Sequence, residues 1–133
     1  MPLEHITTDL APAALPGIYS QAVRAGNLVY LSGSVPKTIE GTTVGGTIQD
    51  RTRQVLKNLE GVLKGAGLTF RDVAKANIYL TDLSKDFNAV NEVWKEVMPD
   101  PKPARTCIGV KELPGGGTDV EIEFVAYDER AKL

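Results

Sequence analysis

Between Thr47 and Gly67 the apolar positions Ile48, Val55, Leu56, Leu59, Val62, Leu63 and Ala66 recur at spacings of three, four and seven, with charges on the other side. That pattern predicts an amphipathic helix. Thr47 followed by Asp50 resembles a capping arrangement, and Gly67 suits the left-handed position just past a helix end. Gly61 and Gly65 lower helix propensity, so they are expected to permit close approach to a sheet. Val73 to Leu80 alternates, with Ala74, Ala76, Ile78 and Leu80 on one side and Val73, Lys75, Asn77 and Tyr79 on the other, as a half-buried strand does. A second helix is predicted over about Ser84 to Met98, carrying Phe87, Val90, Trp94 and Val97 on one stripe and stopped by Pro99. The run Arg105 to Lys111 then completes a βαβ unit, whose two strands should be parallel. Asp119 to Tyr127 alternates again. Upstream, residues 1–16 carry Pro2, Pro12 and Pro16 and read as a strand fragment and loop ending at a Pro16-Gly17 turn. Ile18 to Arg24 and Leu28 to Ser32, separated by Ala25-Gly26-Asn27, give a hairpin signal. No repeat, linker or low-complexity stretch divides residues 1–133, so a single two-layer α+β domain is expected, with helices on one sheet face.

The face left uncovered carries unusual residues. If Val120, Ile122, Phe124 and Ala126 meet the helices, Glu121, Glu123, Val125 and Tyr127 point away; by the same parity Arg105, Cys107, Gly109 and Lys111 oppose Thr106, Ile108 and Val110. Placed on that bare face, Arg105, Glu121 and Glu123 are either ordinary charges on a solvated sheet or groups covered by another subunit. Pro101-Lys102-Pro103-Ala104 stiffens the approach to Arg105 and would hold its guanidinium in place. A fixed Arg suits bidentate recognition of a carboxylate. A glutamate in the same cavity suits orienting a water or carrying a proton.

Composition narrows the chemistry. The 133 residues, 42% apolar and 24% charged, suit one hydrophobic core. A formal charge of −2, with no run of five like charges, argues against a nucleic-acid footprint. The opening residues lack signal-peptide and transit-peptide character, and no stretch approaches the roughly 20 apolar residues of a membrane span. A soluble cytoplasmic protein is expected, with mitochondrial delivery by an unusual signal as the alternative. Cys107 and His5 are the lone Cys and His, which excludes an intrachain disulfide and Cys/His zinc clusters. His5 lies in the N-terminal segment, where it reads as a surface or strand-edge residue rather than a triad base. Gly115-Gly116-Gly117 has no following Lys-Ser/Thr and opens no helix, so it reads as a turn rather than a phosphate loop.

Six short segments, in order along almost the whole chain, resemble the RidA/YjgF family of reactive-intermediate deaminases. Ala11-Pro12-Ala13-Ala14 with Gly17-Ile18-Tyr19-Ser20-Gln21-Ala22 is similar to that family's "APAA…GPYSQA", and Leu31-Ser32-Gly33-Ser34-Val35-Pro36 to its "SGQIP". Phe87-Asn88-Ala89-Val90-Asn91 fits "F-x-x-V/F-N", and Pro103-Ala104-Arg105-Thr106-Cys107 fits "PAR-S/T-C". Leu113-Pro114 and Val120-Glu121-Ile122-Glu123 complete "LP…VEIE". Departures are Ile18 for the usual proline, Ser34 where glutamine is common, and the longer Gly115 to Gly117 turn; all touch the rim of the implied cleft and bear on substrate range.

The resemblance implies a chorismate-mutase-like two-layer α+β fold, a mixed six-stranded sheet with two helices on one face. It further implies a homotrimer whose bare sheet faces form a central barrel with three clefts between subunits. The implied activity is hydrolysis of 2-aminoacrylate, 2-aminocrotonate and related enamines or imines to 2-keto acids and ammonia, with no metal or organic cofactor. Carried over by position, Arg105 pairs with the substrate carboxylate and Glu121 aligns or activates water. Cys107 sits beside the substrate, Tyr19, Ser32 and Gly33 line the cleft, and Asn91 supports it. The residues alone leave plainer roles open: strand packing for Tyr19, a strand-ending turn for Ser32-Gly33, a small buried apolar residue for Cys107, a brace for Asn91. Two other functions stay open as well, a non-catalytic module binding small carboxylates and the endoribonuclease or translation-inhibiting activity attributed to some family members, against which the acidic balance weighs.

Overall fold

The computed structural model describes residues 2–130. Along the chain run Glu4–Ile6 (β1), Ala22–Ala25 (β2), Leu28–Ser34 (β3), Ile48–Gly65 (α1), Val73–Leu80 (β4), Leu83–Val97 (α2), Ala104–Gly109 (β5) and Val120–Tyr127 (β6). The strands form one six-stranded sheet in the order β1-β2-β3-β6-β4-β5. β4 and β5 pair in parallel, as expected for strands joined through α2, and the other neighbours are antiparallel. The fold is therefore α+β with a mixed sheet.

Each helix is fixed by local chemistry. The Thr47 hydroxyl accepts from Asp50 N at 3.1 Å while the Asp50 carboxylate accepts from Thr47 N at 3.2 Å, a reciprocal cap at the start of α1. Past its other end Gly67 takes φ +79°, a conformation that costs a glycine little. Asp82 caps α2 by accepting from Lys85 N. Arg51 of α1 grips both oxygens of Asp119 at 2.9 and 2.8 Å, which ties the helix to the start of β6. At the opposite end the buried Asp128 carboxylate accepts from Arg24 at 2.7 Å and from Arg130 at 3.1 Å, and Arg24 also donates to Ala66 O.

The core lies between the sheet and the two helices. Val120, Ile122, Phe124 and Ala126 are fully buried, with Val55, Leu56, Leu59 and Leu63 of α1 and Val90, Val93 and Trp94 of α2 in the same cluster. Phe124 meets Phe70 and Trp94 edge-on, with centroids 6.4 and 6.3 Å apart. Truncating such a residue to Ala would cost about 3–5 kcal/mol.

Four details depart from the pattern reading. The strand expected from Ile18 starts only at Ala22, because Pro16 and Gly17 form a turn closed by Ile18 N donating to Leu15 O. A register shift between Val73 and Lys75 buries Val73 and exposes Ala74, reversing their expected sides; one extra residue in a strand flips every side chain before it. Phe87, read as core, is 38% exposed, whereas Val93 is buried. Gly61 and Gly65 face the N-terminal segment rather than the sheet: a Cβ on Gly61 would stand 2.8 Å from Leu10 C, and one on Gly65 2.7 Å from Thr8 Cβ. Among the described residues, no helix is long and apolar enough to cross a membrane.

Candidate functional site

Tyr19, Ser32, Gly33 and Glu121 come together around one cavity of about 450 Å³. Ala11 to Leu15, Leu59 and Val62 of α1, and Lys37, Pro114 and Gly115 complete its lining. The N-terminal wall has no secondary structure of its own, so side chains hold it. Buried Gln21 accepts from Thr8 N at 2.7 Å and donates to Thr8 O at 3.1 Å and Pro12 O at 2.8 Å. The two helical glycines let that segment lie directly on α1.

The end of β3 shapes the opposite side. Its pairing with β6 shifts register between Leu31 and Ser34, so Ser32 and Gly33 fall within an irregularity of the kind that re-aims residues beside sites. Ser32 donates its hydroxyl to Ser20 O at 2.6 Å and its N–H to Gln21 O at 3.0 Å, which fixes the loop bearing Tyr19. Glu121 crosses over Gly33 so closely that a Cβ there would stand 2.8 Å from Glu121 Cδ. Glycine at position 33 thus leaves room for the neighbouring carboxylate where it lies, and its own backbone angles do not call for glycine. Burial, and secondarily the nearby Glu123, push the Glu121 carboxyl above its ordinary 4.5. Glu123 itself accepts a hydrogen bond from the Tyr79 hydroxyl, and that bond is the first cause raising Tyr79 to about 12.

Arg105 and Cys107 lie elsewhere, which corrects the expectation that they share a face with Glu121. In the parallel register Arg105 pairs with Ala76 and Cys107 with Ile78, both core-side residues of β4, whereas Glu121 pairs with the outward Tyr79. Alternation separates a strand's residues into two sets, but only pairing with a neighbour assigns each set to a face. The Arg105 guanidinium sits over Trp94 and Phe87, 5.4 and 5.8 Å from their centroids, a cation–π cradle that orients it while leaving its donors free. Among the described residues it makes no ion pair. Cys107 borders a shallow depression with Leu83, Ser84, Phe87 and Asn88. Burial raises its thiol, with Arg105 only partly offsetting this, so it is held protonated and is poorly suited to nucleophilic attack.

Asn91 stands on α2 one turn beyond Phe87, and its buried Oδ1 has no hydrogen-bond partner. Its spacing, four residues after Phe87 and three before Trp94, puts it on the stripe of α2 that carries the two rings under Arg105. The candidate residues therefore form two half-sites: Tyr19, Ser32, Gly33 and Glu121 in the cavity, Arg105, Cys107 and Asn91 beside α2. His5, in β1, pairs through Nδ1 with Ser20 Oγ at 3.0 Å, behind the loop rather than in either half-site. Sequence reasoning missed two residues that lie in these half-sites. Phe87 was read as core although its exposed ring supports Arg105, and Lys37 lies in a loop where no periodicity marks it.

A family model described as Endoribonuclease L-PSP matches residues 8–128. A protein of Schizosaccharomyces pombe named mmf1, mitochondrial, is 46% identical over 114 residues, 84% of this chain and 69% of that protein. A 2-iminobutanoate/2-iminopropanoate deaminase of Dermatophagoides farinae is 41% identical over 129 residues, 96% of this chain and 98% of the relative. The crystal structure of E. coli TdcF with bound serine superposes with a TM-score of 0.86 at 33% identity, covering 95% of this chain and 99% of TdcF.

Proposed function

The chain belongs to the Endoribonuclease L-PSP family, which includes the RidA/YjgF deaminases, and on that premise we propose that it hydrolyses 2-imino acids to 2-oxo acids and ammonia. The observation that carries this reading is that one chain presents an Arg105 guanidinium, oriented over Trp94 and Phe87 with no ion pair among the described residues, and a half-buried Glu121 that borders a cavity. A relative of 41% identity named as an iminobutanoate/iminopropanoate deaminase supports it, and the serine bound in TdcF shows a small amino acid held by a protein of this fold.

Glu121 and Arg105 project from opposite faces of the sheet with β4 between their strands, so the two do not meet within one copy. The reading therefore takes the working cleft to lie between copies, in a homotrimer packed through the outward face. Tyr30, Ile108 and Tyr127, each 44–47% exposed, make that face unusually apolar for a solvated sheet. In the cleft Arg105 of one copy pairs with the substrate carboxylate, and Glu121 of the next holds a water against C2. The water oxygen bonds to C2, the imine nitrogen takes up a proton, and the resulting carbinolamine loses ammonia as its C–N bond breaks and C2 becomes a carbonyl. Glu121 accepts the proton of the attacking water and hands it to the departing nitrogen, while the carbinolamine hydroxyl releases its proton to solvent in place of the one the imine nitrogen took up. An imine is already electrophilic, so positioning and charge neutralisation supply most of the rate. Cys107 contributes shape beside the substrate, and Asn91 braces the Arg105 side.

The test couples a threonine dehydratase and threonine to the purified protein and follows 2-oxobutanoate formation and loss of the imine. Wild type should accelerate both, and Arg105→Ala should not. If wild type instead binds 2-oxobutanoate in calorimetry and accelerates nothing, the protein is a carboxylate-binding module. Ribonuclease activity is disfavoured by the formal charge of −2 and a sequence with no run of five like charges. A relative named mitochondrial sets that compartment beside the cytosol, and cell fractionation distinguishes them.

A further inference from the structure

We infer that this cavity selects imino acids with an acidic side chain, with Lys37 receiving the second carboxylate; this rests on the deaminase reading above and specifies its substrate class. A cavity of about 450 Å³ lies in the range that accepts drug-sized ligands, about 300–1,000 Å³. A four-carbon imino acid held at Glu121 would leave much of it empty. The empty part is not uniformly apolar. Lys37 lines it together with Pro114 and Gly115, and among the described residues the Lys37 ammonium makes no hydrogen bond or ion pair.

The position of that ammonium is set from both ends. Buried Asn58 of α1 donates from Nδ2 to Lys37 O at 2.7 Å and to Val35 O at 3.2 Å, and its own Oδ1 accepts from Gln54. The root of the lysine is thus pinned to the helix. Its tip rests on the glycine turn, where Cε and Nζ lie 3.7 and 3.9 Å from the point a Gly115 Cβ would occupy. Thr118 Oγ1 lies 3.0 Å from that same point and is buried without a partner. Gly115 takes φ +89°, which favours glycine and keeps the ammonium's resting place clear. The cavity therefore carries a cationic group with no partner among the described residues, Lys37, and an anionic one, Glu121.

That polarity orients a substrate. A 2-imino dicarboxylate, with its first carboxylate on Arg105 and its imine carbon before Glu121, would carry its second carboxylate away from the glutamate and toward Lys37. A charge-assisted hydrogen bond in a partly enclosed cavity is worth enough to shift kcat/KM by about tenfold or more. Aliphatic imines gain nothing from Lys37.

The experiment compares the imines of aspartate and glutamate, generated in place by an amino-acid oxidase, with 2-iminobutanoate generated by threonine dehydratase. Wild type, Lys37→Met and Lys37→Arg are assayed on each. The inference expects Lys37→Met to lower kcat/KM on the dicarboxylic imines by about tenfold relative to 2-iminobutanoate, mainly through KM, and Lys37→Arg to restore most of it. Turnover of 2-iminobutanoate with no dicarboxylic turnover, or an unchanged ratio in Lys37→Met, overturns this inference and leaves the deaminase reading standing. No acceleration on any imine overturns both.

Discussion

Replacing Gly33 by Ala tests whether the geometry around Glu121 matters to the reaction rather than to the fold. A methyl at position 33 would stand 2.8 Å from Glu121 Cδ and 3.2 Å from its Cγ. Carbon atoms settle at about 3.5–4.0 Å, and Glu121 Oε2 would lie closer to the methyl than either carbon, so the carboxylate must retreat by at least about 1 Å. Gly33 has no left-handed backbone angle and the obstructing group is the end of a flexible side chain, so the fold should lose under about 1 kcal/mol. A catalytic group displaced by about 1 Å costs on the order of 100-fold, equivalent to about 2.7 kcal/mol of transition-state stabilisation. Gly33→Ala should therefore unfold in urea close to wild type and yet lose about 100-fold in kcat on 2-iminobutanoate. It should approach Glu121→Gln without adding to it when the two are combined, since both act through one carboxylate. A Gly33→Ala protein that keeps more than half the wild-type kcat would refute the placement of Glu121 in the chemistry.

Three further outcomes follow from the geometry. Because burial and then Glu123 raise the Glu121 carboxyl above 4.5, and its ionised form is the active one, kcat/KM should fall with acid at a pH above that value; Glu123→Gln should move this limb to lower pH, and an unmoved limb would show that Glu123 has no part in it. Asp128 is held below its ordinary 3.8, first by the Arg130 hydrogen bond; a depressed carboxyl stabilises the fold above the unfolded value and loses that effect as pH falls through the folded one. Asp128→Asn should thus lower the urea-derived stability by about 1–3 kcal/mol at pH 7, and the gap should close below pH 3.8. Gly61→Ala would gain about 1 kcal/mol of helix propensity, but its methyl meets the Leu10 backbone carbonyl, which cannot rotate away; a net loss of about 1–3 kcal/mol in denaturation is expected, with faster proteolysis of the N-terminal segment.

The sequence carried the parts of this structure that depend on period and capping. The spacing of Val55, Leu56, Leu59, Val62 and Leu63 marked α1, Thr47 and Asp50 its start, and the alternation from Val120 its central strand, because each signal is local to a few residues. What the chain did not reveal was relational. Arg105 and Cys107 were placed with Glu121 because alternation has no absolute phase; the register with Ala76 and Ile78 supplies it. The shift at Val73 to Lys75 interrupts a period that reads as continuous. Gly61 and Gly65 were rightly seen as sites of close approach, but the neighbour is a loop whose path no pattern predicts. The same limit hid Lys37, whose place depends on Asn58 twenty-one residues away.

The most direct test of the account is subunit complementation. Arg105→Ala and Glu121→Gln proteins are each assayed alone, then unfolded together in equal amounts, refolded and assayed again. In a closed ring of copies each cleft takes its guanidinium from one copy and its carboxylate from the next, so random assembly makes about a quarter of the clefts complete. The account predicts two inactive parents and a mixture with about a quarter of wild-type activity on 2-iminobutanoate. A refolded mixture no more active than its parents would contradict it.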